Sequence, residues 1–146
     1  MKLFSGARVA FWVAVGVLAA YLIWRLVPDY LVKRDDPRSI EHLSRVAAEL
    51  NRAVPMMIDK ETELLPTNAA PGMLIYSYRL VNFSAARISH EKFTAAAKQQ
   101  VVQGACGRPE TRDDLLKNGV TLRYSYFDKD KKHIATVDVT PADCGF

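Results

Sequence analysis

The first pattern along the chain is an apolar one with no polar face. Val9 to Trp24 gives sixteen uncharged, almost wholly apolar positions between Arg8 and Arg25. Continued to Pro28, the run reaches about 20 residues, roughly the 30 Å of a bilayer core. A helix satisfies its own backbone groups there, which lipid cannot do. Phe11, Trp12, Tyr21 and Trp24 stand near its ends, where aromatic rings anchor at the interface. Residues 1–28 are therefore predicted to form a transmembrane helix. A cleaved signal peptide is the competing reading, because Lys2 and Arg8 precede the apolar stretch. Against cleavage, Leu18 sits badly before Ala19-Ala20, and the run continues past that point as Tyr21-Leu22-Ile23-Trp24. No cysteine follows closely, so lipoprotein anchoring is not indicated.

Beyond the run the pattern becomes amphipathic. Asp29 to Arg38 is short, charged and proline-containing, and reads as a tether. Ile40, Leu43, Ala47, Leu50 and Val54 then recur at helical spacing, with Ser39 placed to cap, Glu41 near the positive end and Pro55 to stop. The period shifts to two, weakly in Lys60–Leu65 and strongly in Met73–Asn82, with a Pro66–Gly72 loop between them by composition. Leu74, Tyr76, Tyr78 and Leu80 share one face, and Met73, Ile75, Ser77, Arg79 and Val81 the other. Both faces are partly apolar, which predicts a central strand.

A second helix is predicted from Ser89, with Phe93, Ala96, Ala97, Gln100 and Val101 in phase and an end near Gly104. Glu110–Lys117 reads as a short helix stopped by Asn118-Gly119. Val120–Phe127 and Ile134–Thr140 alternate around the polar turn Asp128–Lys132, and Pro141 closes the last strand. This order predicts an α+β domain at 39–146, with a four-stranded, mostly antiparallel sheet and helices packed on one face.

Charge changes the picture only after dissection. The net +4 includes Lys2, Arg8 and Arg25, with no acid before Asp29, so the domain itself is nearly neutral. The high pI is no footprint of nucleic-acid binding. The two cysteines matter more. Joining Cys106 to Cys144 would close a loop of about 40 residues and stabilise the domain by about 4 kcal/mol. A structural disulfide is the favoured reading, with two buried thiols or one reactive thiol as the alternatives. It also favours an oxidising compartment. Counting basic residues alone mildly favours the opposite orientation, but a very short N-terminal tail before a lone apolar run behaves as an uncleaved signal. The expected location is the bacterial inner membrane, with the domain in the periplasm.

Catalytic chemistry is not signalled. His42, His90 and His133 are scattered, and His90-Glu91 lacks a second histidine for a zinc helix. Asp128 and Asp130 open like a calcium loop but lack its later glycine and glutamate, and read as a solvated turn. No enzyme activity, cofactor or metal is expected. Tyr76/Tyr78 and Tyr124/Tyr126 form two matched Tyr-x-Tyr pairs, candidates both for cross-strand packing and for a protein-binding patch.

The stretch Leu50-Asn51-Arg52-Ala53-Val54-Pro55-Met56-Met57-Ile58-Asp59-Lys60-Glu61-Thr62, with Tyr124–Asp128 through Asp143-Cys144, resembles a group of small bacterial envelope proteins. That resemblance implies an envelope location and a disulfide-tied α+β domain, and assigns no catalytic residue. The layout also resembles secretion-system pilotins, small periplasmic domains that escort a partner. The expected function is non-enzymatic binding of another envelope protein, as an accessory, assembly or regulatory subunit. The alternative is an immunity, inhibitor or phage-exclusion protein that binds a toxin or lytic enzyme.

Overall fold

Sheet order follows from the strand with two apolar faces, which lies in the middle. The computed structural model describes Tyr21 and residues 36–146. The expected transmembrane helix, Tyr21 apart, lies outside the described residues. Among the described residues no helix is long and apolar enough to cross a membrane. In chain order the elements are α1 (Ile40–Leu50), β1 (Met56–Met57), β2 (Thr62–Ala70), β3 (Met73–Leu80), α2 (His90–Gly107), α3 (Pro109–Asp114), β4 (Thr121–Phe127) and β5 (His133–Val139). They form an α+β domain with one sheet in the order β1-β2-β3-β4-β5.

Two expectations about the sheet are corrected. It has five strands rather than four, because β1 is a two-residue edge strand, too short for any periodicity to reveal. The second correction concerns Pro66–Gly72, which is largely strand, leaving only Pro71-Gly72 as the turn into β3. Pro66 is accommodated at a register shift between Leu65 and Asn68, on the side where β1 no longer pairs. Past that shift the Asn51 side chain stands in for a neighbouring strand. Its amide donates to the Thr67 carbonyl at 2.8 Å and its carbonyl accepts the Thr67 N–H at 2.7 Å. A free β edge is thereby capped by the residue that ends α1.

Three of the four strand pairings are antiparallel, and β3–β4 is parallel. α2 carries the chain back over the sheet, as a parallel neighbour requires. The parallel register sets Tyr76 opposite Tyr124 and Tyr78 opposite Tyr126. Leu74, Leu122, Val137 and Val139 lie on the tyrosine face and bury against Leu43 and Ala47 of α1, Ala97 and Ala105 of α2, and Leu116. Helices thus cover one face. On the other, Arg79 pairs with Glu63, and Arg123 grips Asp138 through two bonds of 2.8 Å.

α1 begins as the sequence suggests, with Ser39 Oγ accepting the His42 N–H. α2 differs, since it continues through Gly104 to Gly107. A helical glycine costs about 1 kcal/mol relative to alanine. The extra turn compensates by burying Ala105 and carrying Cys106 to Cys144, with which it forms a disulfide at a Cα separation of 5.5 Å. Lys98 reinforces the same corner, donating to the Asp138 carbonyl and pairing with Asp143 at 2.8 Å. Asp143 in turn accepts from the Thr140 N–H and hydroxyl.

The β4–β5 turn is solvated over residues 129–132, as its composition suggests, but Asp128 departs from that reading. Asp128 is 1% exposed and accepts the N–H groups of Ala85, Asp130 and Lys132 at 2.8–2.9 Å. These bonds, the Ala85 amide foremost, hold its carboxyl below the usual range. One side chain thereby shapes the β4–β5 turn and pins to it the segment leading into α2.

Candidate functional site

Among the described residues, helices flank the tyrosine face at its margins and leave a groove of about 830 Å³. Its floor is the row Tyr76, Tyr124, Tyr78 and Tyr126. Successive rings stack at 5.2, 6.2 and 5.5 Å between centroids, and Phe93 closes the row edge-on against Tyr126 at 5.2 Å. The stacking follows from the parallel register, because side chains in register on neighbouring strands stand side by side. One wall is α2, which presents Ala96, Ala97, Gln100 and Gly104. Opposite stand Leu50, Ile58 and Leu64. Leu50 and Ile58 remain 37% and 50% exposed, and Phe83 at the end of β3 is 39% exposed.

The four tyrosines sequence analysis singled out are thus brought together, at the bottom of a groove and half-buried to buried. Only 8% of Tyr124 is exposed. Among the described residues nothing hydrogen-bonds to the four hydroxyls, which leaves them to the groove. Desolvation pushes the Tyr76 phenol up to about 12 and raises Tyr78, Tyr124 and Tyr126 as well. The positive charge of Arg108 acts the other way on Tyr76, Tyr78 and Tyr124. All four stay neutral near pH 7 and serve as hydroxyl donors.

A pH dependence follows from these phenols. The folded values lie above the ordinary 10.0. The stability they carry is therefore whole below pH 10 and is lost as pH rises toward the folded values. Thermal melts from pH 8 to 12, read alongside phenolate absorbance, should show a late-ionising set of tyrosines and loss of melting temperature only above about pH 10. Ionisation of every tyrosine together near pH 10, with the fold intact, would contradict this burial.

The other candidates are not gathered. His42 lies on α1, His90 opens α2 and His133 sits on β5, its ring bonded to Thr136 Oγ1 at 2.8 Å. Among the described residues no cluster of histidine, cysteine, aspartate or glutamate could hold a metal ion. The groove walls were missed by sequence reasoning. Their signal was present in the run of small residues along α2 and the unbroken Met56-Met57-Ile58, but each reads as core until the neighbouring element is known.

No family model and no curated protein sequence matches this chain. Solved structures do match its fold. A candidate secreted protein of Pseudomonas aeruginosa superposes with a TM-score of 0.61 at 20% identity, over 72% of this chain and 91% of its own. EpsS, a pilotin of the Vibrio vulnificus type 2 secretion system, gives 0.59 at 13% identity, over 73% of this chain and 92% of its own. AspS, the type II secretion pilotin of Vibrio cholerae, gives 0.57 at 16%, over 72% and 91%. The domain has the fold of these pilotins.

Proposed function

We propose that the chain is a single-pass inner-membrane protein whose periplasmic domain binds another envelope protein, without catalysis, as an accessory, assembly or regulatory subunit of an envelope complex. The observation that carries this reading is the groove, an apolar channel floored by four tyrosines whose hydroxyls have no partner among the described residues. Phe93 and Gly104 stand about 16 Å apart along α2, long enough for three turns of a bound helix. Ala96, Ala97, Gln100 and Gly104 recur at three- and four-residue spacing, so a partner helix can approach their backbone closely. The apolar run at 1–28 supplies the anchor, and the Cys106–Cys144 disulfide suits the periplasm. Pilotins of the same fold are parts of secretion systems, which supports a partner in the envelope.

A photo-crosslinking amino acid at Gln100, compared with one at Thr136 on the opposite sheet face, tests this in growing cells. Gln100 should give a discrete adduct with an envelope protein, and Thr136 should not. Equal adducts from both positions, or none from Gln100, would argue against the groove as the binding site. An adduct with an incoming toxin or lytic enzyme would instead favour an inhibitor.

A further inference from the structure

One end of the groove carries a cation that pairs with no carboxylate among the described residues. Arg108 follows α2, lines the groove beside Tyr76 and Tyr124, and makes no ion pair among the described residues. Its guanidinium is close enough to Tyr76, Tyr78 and Tyr124 for its charge to act on all three phenols. Tyr124 is more than nine-tenths buried, and its hydroxyl has no partner among the described residues. That hydroxyl is not sealed in the core but opens to the groove, where a bound acceptor can pair with it.

We propose that this end is a carboxylate-recognition corner, in which the Arg108 guanidinium and the Tyr76 and Tyr124 hydroxyls receive an aspartate or glutamate side chain of the helix bound in the groove. This rests on the groove-binding reading above and names the chemistry its partner carries. The guanidinium fork matches a planar carboxylate, and two phenol donors can satisfy its remaining lone pairs. Glu110 lines the same end and disfavours a doubly charged group such as a phosphate ester. Asp59 and Glu61 line the far end, where Glu61 sits against Val81 just beyond β3. Their charges repel a second acid there. The bound helix is therefore held in one direction, with its acidic residue at Arg108.

A library of helix-forming peptides of about 15 residues, displayed through its C-terminus so that no free main-chain carboxylate is offered, tests this on the full-length protein in nanodiscs. Wild-type protein should enrich peptides with one apolar face and an acid at one end. Arg108→Gln should lose the acid preference and bind those peptides roughly tenfold more weakly. Arg108→Glu should enrich basic residues at the same position. Tyr124→Phe, which keeps the ring stack, should also weaken the acidic peptides. Peptides enriched alike on wild type, Arg108→Gln and Arg108→Glu would overturn the corner while leaving the groove reading intact. No enrichment over a groove-filled Gly104→Trp protein would overturn both.

Discussion

Replacing Cys106 and Cys144 together by serine should lower the unfolding free energy of the domain by about 4 kcal/mol. The bond joins positions 38 residues apart, and the loop it closes contains α3, β4 and β5. Freed of that link, the unfolded chain gains the loop entropy the bond removes. A domain of this size has a total stability of only about 5–15 kcal/mol, so the loss is a large fraction of it. Two contacts limit the damage to the native state. Lys98 still pairs with Asp143, and the Thr140–Asp143 capping box still shapes the final turn. The effect should therefore appear as lost stability with the fold retained. In equilibrium urea unfolding of the full-length protein in mild detergent, the midpoint should fall by roughly 3 M with little change in slope. Wild-type protein under reductant should move by the same amount. A shift below about 1 kcal/mol in both would show that the disulfide contributes little beyond its local contacts.

Gly104 should separate stability from binding. An added Cβ meets no atom within 4 Å, so Gly104→Ala places its methyl in open groove space without a clash. Relieved of the helical glycine, the domain should gain about 0.5–1 kcal/mol. Gly104→Trp enjoys the same backbone benefit while projecting an indole into the channel a partner helix would fill. Its melting temperature should stay within a few degrees of wild type, since about 1 kcal/mol shifts a domain of this size by roughly 4–8 °C. Partner adducts should nevertheless fall at least tenfold, read with the crosslinker at Ile58 on the opposite wall so that the indole does not shield it. A stable Gly104→Trp protein that crosslinks as well as wild type would mean that the partner sits elsewhere. A destabilised Gly104→Ala protein would mean that the glycine is needed for the fold and not for the groove.

The carboxylates of Asp128 and Asp143 show how much of the internal wiring is invisible to pattern. Each is held below its usual range by specific donors, the Ala85 amide at Asp128 and the Lys98 ammonium at Asp143. Ala85 lies 43 residues from Asp128, and no local rule connects them. A turn rich in Asp and Lys reads as solvated because composition reports average exposure, whereas a single carboxylate with three backbone donors is stable when buried. Thr67 and Asn51 make the same point. A proline-containing stretch became strand because a side chain from the end of α1 supplied the missing ladder partner.

The sequence by itself determined what is local. Period-two alternation marked β3, β4 and β5, and the helical stripe after Ser39 marked α1. The matched Tyr-x-Tyr pairs pointed to an aromatic row across neighbouring strands. Such features are legible because side-chain direction repeats with backbone geometry, so burial leaves a period in the chain. Only the tertiary structure decided which strands meet and which surfaces stay open. The parallel β3–β4 pairing set the tyrosines ring against ring, and α2 stood away from that row far enough to leave a groove. Ala96 and Gly104 became a wall rather than core for the same reason. Small residues suit both close packing and an empty channel, and what fills the space beside them is settled by residues far away in the chain.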